Sequence, residues 1–271
     1  MELETQKSEY AIEARDLTKT YGSIIAVNEI SFTVKYGEIF AFLGPNGAGK
    51  TTTIKMLTTL AKPTGGSMKL NGYDPVRDQA AARNSFGIVF QDPSLDEELT
   101  ACENMILHAV LYSVPKEIQN ERIEMLLKLM QLWDRKDEQV KKFSGGMKRR
   151  LEIARGLLHL PKILFLDEPT LGLDPQTRNL LWEHIRELNK KEGITVFLTT
   201  HIMEEAERVA DTVAVIDHGR IIDQGTPREL EKRTGASSLE EAFLNMTGKT
   251  IREEGPETFK QMAGRYLRRR S

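Results

Sequence analysis

Disulfide chemistry has almost nothing to work with in this sequence, whose 271 residues include a single cysteine, Cys102. One thiol cannot build an internal cross-link framework; it fits a reducing compartment and reads as a small buried side chain. Long apolar runs are missing too. A membrane-crossing helix needs about 18 consecutive apolar residues. No stretch approaches that, so no direct membrane span is expected. Neither sign of charge dominates, with 38 Lys and Arg against 40 Asp and Glu, which removes the electrostatic reason to expect nucleic-acid binding. Residues 1–10 are polar and mixed in charge, not the basic-then-apolar order of a secretory signal, and the expected location is the cytoplasm. His108, His159, His184 and His218 lack ligand spacing with each other or with Cys102, so no zinc is expected.

What is present is an ordinary globular composition, 39% hydrophobic and 29% charged, on a chain long enough to bury a full core. Periodicity supplies the outline. Residues 12–16, 30–34 and 39–43 run or alternate apolar at strand length, and a helix is predicted over 51–60, stopped by Pro63-Thr64-Gly65-Gly66. Residues 68–70 read as a strand entering a tight turn at Asn71-Gly72, and 86–90 as another strand. From 99 to 160 the signal is helical, with Ile123, Leu126, Leu127 and Met130 at i, i+3, i+4, i+7 spacing. Strands return at 163–166, 195–200 and 212–216, with a helix over 178–190, and the chain beyond about Gly235 is more polar and expected to be peripheral. Short strands with crossover helices favour an α/β fold whose parallel sheet is buried on both faces, interrupted by a helical insertion.

Three segments carry chemistry. Gly44-Pro45-Asn46-Gly47-Ala48-Gly49-Lys50-Thr51-Thr52 follows an apolar strand and opens a helix, the G-x-x-x-x-G-K-[ST] phosphate-loop pattern in its proper context. Glycines let backbone N–H groups turn inward as a nest for phosphate oxygens, and the helix aims its positive end at the same place. Lys50 adds a full charge near the β- and γ-phosphates, and the Thr51 hydroxyl is placed to ligate Mg²⁺. The chain is therefore expected to bind a nucleoside triphosphate. The second segment is an apolar strand ending in Asp167-Glu168. Ionised groups at a core edge need partners; Asp167 is placed to hold Mg²⁺ beside Thr51, and Glu168 to orient or deprotonate an attacking water. The third is Phe143-Ser144-Gly145-Gly146-Met147, where Ser144 is a good N-cap and two glycines leave a helix start open to close approach.

Together these residues resemble the nucleotide-binding subunit of an ABC transporter, over roughly residues 12–230. In that resemblance Tyr21 is similar to the aromatic residue that stacks on adenine, and Gln91 to the glutamine that reaches Mg²⁺ and the attacking water. Ser144, Gly145 and Gly146 resemble the signature motif, Leu173-Asp174 the loop that crosses a dimer interface, and His201 the switch histidine on the γ-phosphate. The resemblance implies a P-loop NTPase core of RecA-like type over about 1–91 and 157–235, with an N-terminal antiparallel β part. It also implies a helical subdomain over about 92–156 and a C-terminal extension over 236–271. Met147 stands where the family commonly has Gln and cannot donate as Gln would. The form of residues 143–158, and Ser238-Leu239-Glu240-Glu241-Ala242-Phe243-Leu244, are similar to the daunorubicin-resistance, drug-export branch.

The function so implied is the ATP-hydrolysing motor of an exporter, with ATP and Mg²⁺ as cofactors. One chain supplies half of each site, so a second nucleotide-binding subunit is expected, as is a separate transmembrane permease docked near 91–101 and the helical insertion. The motor would sit peripherally on the cytoplasmic face of the membrane. A non-transport ATPase of the same type (translation, repair or regulation) is the second class. One nucleotide domain, no long coiled-coil insertion and no zinc-site cysteines argue against it. The run Arg265-Tyr266-Leu267-Arg268-Arg269-Arg270 reads as a solvated terminus, although basic residues beside a membrane gain about 1 kcal/mol each.

Overall fold

Strand β3, Ile39–Leu43, is buried at all five positions, which is possible only where both faces of a sheet are covered. Its side chains alternate between two cores. Phe40 and Phe42 face one, and Ile39, Ala41 and Leu43 the other. Everything that positions the site follows from this strand. The computed structural model describes residues 9–248.

In chain order the elements are β1 (Tyr10–Tyr21), β2 (Ile24–Lys35), β3, α1 (Lys50–Leu57), β4 (Gly65–Leu70), α2 (Gln79–Asn84) and β5 (Phe86–Val89). They continue as α3 (Ala101–Leu111), α4 (Lys116–Leu129), α5 (Gly145–Leu157), β6 (Ile163–Asp167) and α6 (Pro175–Glu192). The last are β7 (Thr195–Thr200), α7 (Met203–Val209), β8 (Thr212–Asp217), β9 (Arg220–Gly225), α8 (Pro227–Thr234) and α9 (Leu239–Thr247). The larger sheet has the order β5-β6-β7-β3-β8-β9, parallel from β5 to β8, with β9 antiparallel at its edge. A smaller antiparallel sheet, β2-β1-β4, packs on one face of it together with α1. Between the sheets Phe32, Phe40, Phe42 and Phe197 form a ring cluster with centroids 5.5 to 6.5 Å apart. That spacing is favourable for aromatic pairs. On the opposite face the second core joins β3, β6 and β7 to α3, α4, α5 and α6.

The strands expected at 39–43 and 195–200 have those bounds. Asn71 and Gly72 form the anticipated turn, both with positive φ, while Leu70 and Tyr73 exchange backbone hydrogen bonds of 2.8 and 2.9 Å. The helix read over 51–60 ends at Leu57, because Leu60 and Ala61 both donate to the Lys55 carbonyl and Thr59 turns left-handed. The helical stretch 99–160 is three α-helices. The C-terminal reading needs correction: Leu239, Ala242 and Phe243 of α9 are buried in the same core as Leu230 and Val209, so this helix is not peripheral. Cys102 is half-buried against that core, and burial raises its thiol pKa. The basic run at 265–270 lies outside the described residues.

Candidate nucleotide site

Parallel strands put their C-terminal ends on one edge of a sheet, and ligands in open α/β folds bind outside that edge. Here the 44–52 loop leaves β3, Asp167 and Glu168 close β6, His201 follows β7, and Gln91 stands two residues beyond β5. The register Leu43 to Thr200, Asp167 to Thr199 and Val89 to Leu166 sets these ends level. The sequence thus supplies the residues, and the parallel topology collects them.

The loop turns into α1 at Gly49, whose φ of 109° suits glycine alone, and no side chain caps the helix N-terminus. A Cβ at that position would lie 2.7 Å from the Ala26 carbonyl, so strand β2 runs directly beside the loop. Lys50 is buried. Its Nζ donates to the carbonyls of Gly44 (2.6 Å) and Pro45 (3.2 Å) and lies 3.1 Å from Glu168 Oε1. That last contact is an ion pair without hydrogen-bond alignment. The Thr51 hydroxyl reaches Asp167 Oδ1 at 3.4 Å, and Thr199 Oγ1 donates to the same oxygen at 2.6 Å. Glu168 adopts a left-handed backbone with φ of 48°, uncommon for a residue with a side chain. Its N–H is held by the carbonyl and hydroxyl oxygens of Thr199, and its Oε2 lies 2.8 Å from His201 Nδ1. A buried carboxylate thus stands between a lysine and a histidine.

A second cluster lies apart from this one. Ser144 caps α5 by accepting from the Met147 N–H, and both Ser144 and Gly145 are exposed. A side chain at Gly146 would strike Thr177 Cγ2 at 2.4 Å, and the Thr177 hydroxyl bonds Asp174 at 2.6 Å. Asp174 itself caps α6, accepting from the N–H groups of Gln176 and Thr177. The Thr177 hydrogen bonds hold its carboxyl below the usual range. The structure therefore brings Ser144, Gly145 and Gly146 together with Asp174, and Lys50 and Thr51 together with Asp167, Glu168 and His201. Among the described residues, no hydrogen bond or ion pair joins the 144–146 segment to the 44–52 loop. Tyr21 is exposed at the tip of the β1–β2 hairpin, with Lys19 Nζ 4.8 Å from its ring centroid, and Gln91 is exposed.

The ABC transporter family model matches residues 27–171. The chain is 45% identical over 231 residues to the Nod factor export ATP-binding protein I of Burkholderia orbicola, a match covering 84% of this chain and 75% of the relative. It is 42% identical to the daunorubicin/doxorubicin resistance ATP-binding protein of Streptomyces peucetius, covering 84% and 69%. The chain belongs to the ABC transporter family. Among solved structures, a dimeric ATP-binding cassette in a post-hydrolysis state, bound to ADP and Pi, superposes with a TM-score of 0.72 at 28% identity. That match covers 79% of this chain and 98% of the other. As an ABC protein of the export branch, this chain is an ATP-binding subunit and an ATPase coupled to transport.

Sequence reasoning missed several buried polar residues in and around this candidate site. Thr199 holds both Asp167 and Glu168, and the signal was a pair of threonines after the apolar run Val196-Phe197-Leu198. Arg149 and Glu152 are both buried in α5, on the face that also carries Ile153, although charges at i and i+3 usually mark a solvated face. Glu205, buried in α7, accepts from Thr170 Oγ1 at 2.8 Å and pairs with Arg178 at 3.2 Å.

Proposed function

We propose that this chain binds ATP at the sheet edge and hydrolyses it with Glu168, closing on a second nucleotide-binding subunit to drive a separate permease. The observation that carries this reading is the Glu168 carboxylate, buried at the end of β6 with one oxygen 3.1 Å from Lys50 Nζ and the other 2.8 Å from His201 Nδ1. A γ-phosphate entering beside Lys50 competes for its ammonium and frees Glu168 to face water. Glu168 then orients that water and takes its proton as the oxygen attacks the γ-phosphorus and the bond to the β-phosphate oxygen breaks, ADP leaving, while His201 holds the carboxylate beside the transferred phosphoryl group. The 44–52 amides and the α1 N-terminus cradle the β- and γ-phosphates. Tyr21, on the hairpin beside the loop, offers its ring to adenine. Thr51 Oγ1 and Asp167 Oδ1, 3.4 Å apart, are oxygen donors suited to a hard cation; with Gln91 they would hold Mg²⁺, which neutralises phosphate charge.

The 144–146 segment and Asp174 form an outward-facing patch with a helix N-terminus, suited to the γ-phosphate bound by another copy. The similarity to a cassette solved as a dimer supports that pairing. For the permease, α3 offers an unpartnered apolar face of Ile106, Leu107, Val110 and Leu111, the last 71% exposed. It adjoins the 91–100 segment, within the helical region read as a subdomain over 92–156. No helix among the described residues is long and apolar enough to cross a membrane. Docking on the permease would place the chain on the cytoplasmic face of the membrane.

The test is Glu168→Gln. It should bind ATP, lose about 10² to 10⁴-fold in turnover, and accumulate as an ATP-dependent dimer in size-exclusion chromatography. Undiminished turnover would remove Glu168 from its role.

A further inference from the structure

Helix α5 begins at the exposed 144–146 patch, yet five residues in it sends a buried guanidinium to the other cluster. Arg149 Nε donates to the Pro169 carbonyl at 2.7 Å, and Nη2 donates to the carbonyls of Glu168 (3.0 Å) and Asp167 (3.3 Å). Nη1 donates to the Phe90 carbonyl and pairs with Glu152 Oε2 at 3.2 Å. All three nitrogens are engaged, four of their partners being main-chain oxygens from two separate segments. The planar fork of arginine allows this, and a lysine ammonium cannot reproduce it. The 90–94 segment is tied to α5 again at its far end. Glu152 Oε1 accepts from the Ser94 N–H (2.8 Å) and hydroxyl (3.3 Å), and Arg155 donates to the Ser94 carbonyl at 2.8 Å. Gln91 lies between these two attachment points.

We propose that Arg149 is a positioning residue: by tying the carbonyls of Phe90 and of Asp167, Glu168 and Pro169 to helix α5, it fixes the backbone turn that aims the Glu168 carboxylate. The inference rests on the role of Glu168 given above. Glu168 is the place where such a clamp matters, because its left-handed backbone is held only by what surrounds it: Thr199 grips its N–H and Arg149 its carbonyl. The ion pair with Glu152 is not what makes arginine necessary, since buried Arg–Glu pairs are often replaced by neutral groups of similar volume without loss. Recognition of backbone carbonyls from two segments is what a neutral replacement gives up.

The experiment uses the full chain with two variants, Arg149→Lys and the neutralised pair Arg149→Met/Glu152→Gln. Steady-state ATPase kinetics, affinity for a fluorescent ATP analogue and urea denaturation are measured on each. The expected result is a split: nucleotide affinity and KM within about threefold of wild type, and kcat lowered by about 10- to 100-fold. The double variant leaves no unpaired charge but loses the donor to four carbonyls, so it is expected to be less stable, and its kcat is expressed per folded molecule. A kcat per folded molecule equal to wild type in both variants overturns the proposal, whether or not the variants are less stable, because Arg149 would then serve folding alone. A loss confined to KM overturns it as well. If Glu168→Gln turns over normally, the underlying site reading fails instead, and the two failures are told apart.

Discussion

The two clusters of this molecule are built on opposite principles. The one at the sheet edge is buried and paired within itself by charge: Lys50, Asp167 and Glu168 are each less than a tenth exposed and hold one another or their neighbours. The one around Ser144 is exposed, and its hydrogen bonds cap two helices and tie Thr177 to Asp174. The difference fits the proposed function, in which the sheet edge holds the nucleotide and the Ser144 patch meets one bound by another copy.

The comparison can be broken hardest at Lys50. Lys50→Met leaves Glu168 buried without its cation, and removing one partner of a buried pair costs about 3 kcal/mol or more. It should also abolish tight ATP binding, as measured by the same fluorescent analogue. Urea denaturation should show the loss, and Lys50→Met/Glu168→Gln should regain most of it, since no uncompensated charge remains. A Lys50→Met protein as stable as wild type would mean that the ion pair contributes nothing and the edge is not held together by charge.

How much of this was legible depends on what holds each piece. The strands β3 and β7 could be bounded from sequence because burial on both faces leaves a continuous apolar run. The 44–52 loop, Asp167 and Glu168 stood out as candidates because the chemistry proposed for them demands fixed residue types at fixed spacing. The pairing of Glu168 with Lys50 and His201 was not legible, because it depends on strand order, which sets three distant segments side by side. Arg149 escaped for another reason. Its partners are mostly backbone carbonyls, which leave no mark on the identity of the residues that supply them. Helix α9 was misjudged because its nine residues bury only Leu239, Ala242 and Phe243, too few to stand out against a polar background.

A gentler probe acts on the helical side alone. His108 of α3 packs against Tyr112, which stacks on His159 at 4.0 Å, just past the end of α5, and burial with nearby Arg155 lowers the His108 pKa from 6.5 to about 3. Below about pH 6.5 the unfolded chain takes up a proton at this site that the folded chain refuses, so stability falls as pH falls, until about pH 3. Between pH 7 and 5 that amounts to as much as about 2 kcal/mol. His108→Phe should flatten the decline in urea midpoints over this range and leave turnover at pH 7.5 unchanged. Parallel declines in variant and wild type would mean that His108 is not held neutral by the fold.

The smallest structural change gives the sharpest test of what the exposed cluster is for. A side chain at Gly145 meets nothing within 4 Å, and its backbone is not in the left-handed region, so Gly145→Val fits the isolated chain. Its effect on stability should stay within about 0.5 kcal/mol, the range of an uncommitted surface substitution. If a second copy brings its nucleotide against this patch, the added bulk nonetheless stops hydrolysis. Lys50→Met is inactive for the complementary reason, having an intact patch and a damaged loop. Random pairing of the two variants then leaves about a quarter of the wild-type number of sites intact, because half the dimers join one good loop to one good patch. Recovery of ATPase activity to that level on mixing requires that each site be built from two chains. Gly145→Val with normal turnover, or a mixture that stays silent, would mean that the outward-facing cluster is only a pair of helix caps.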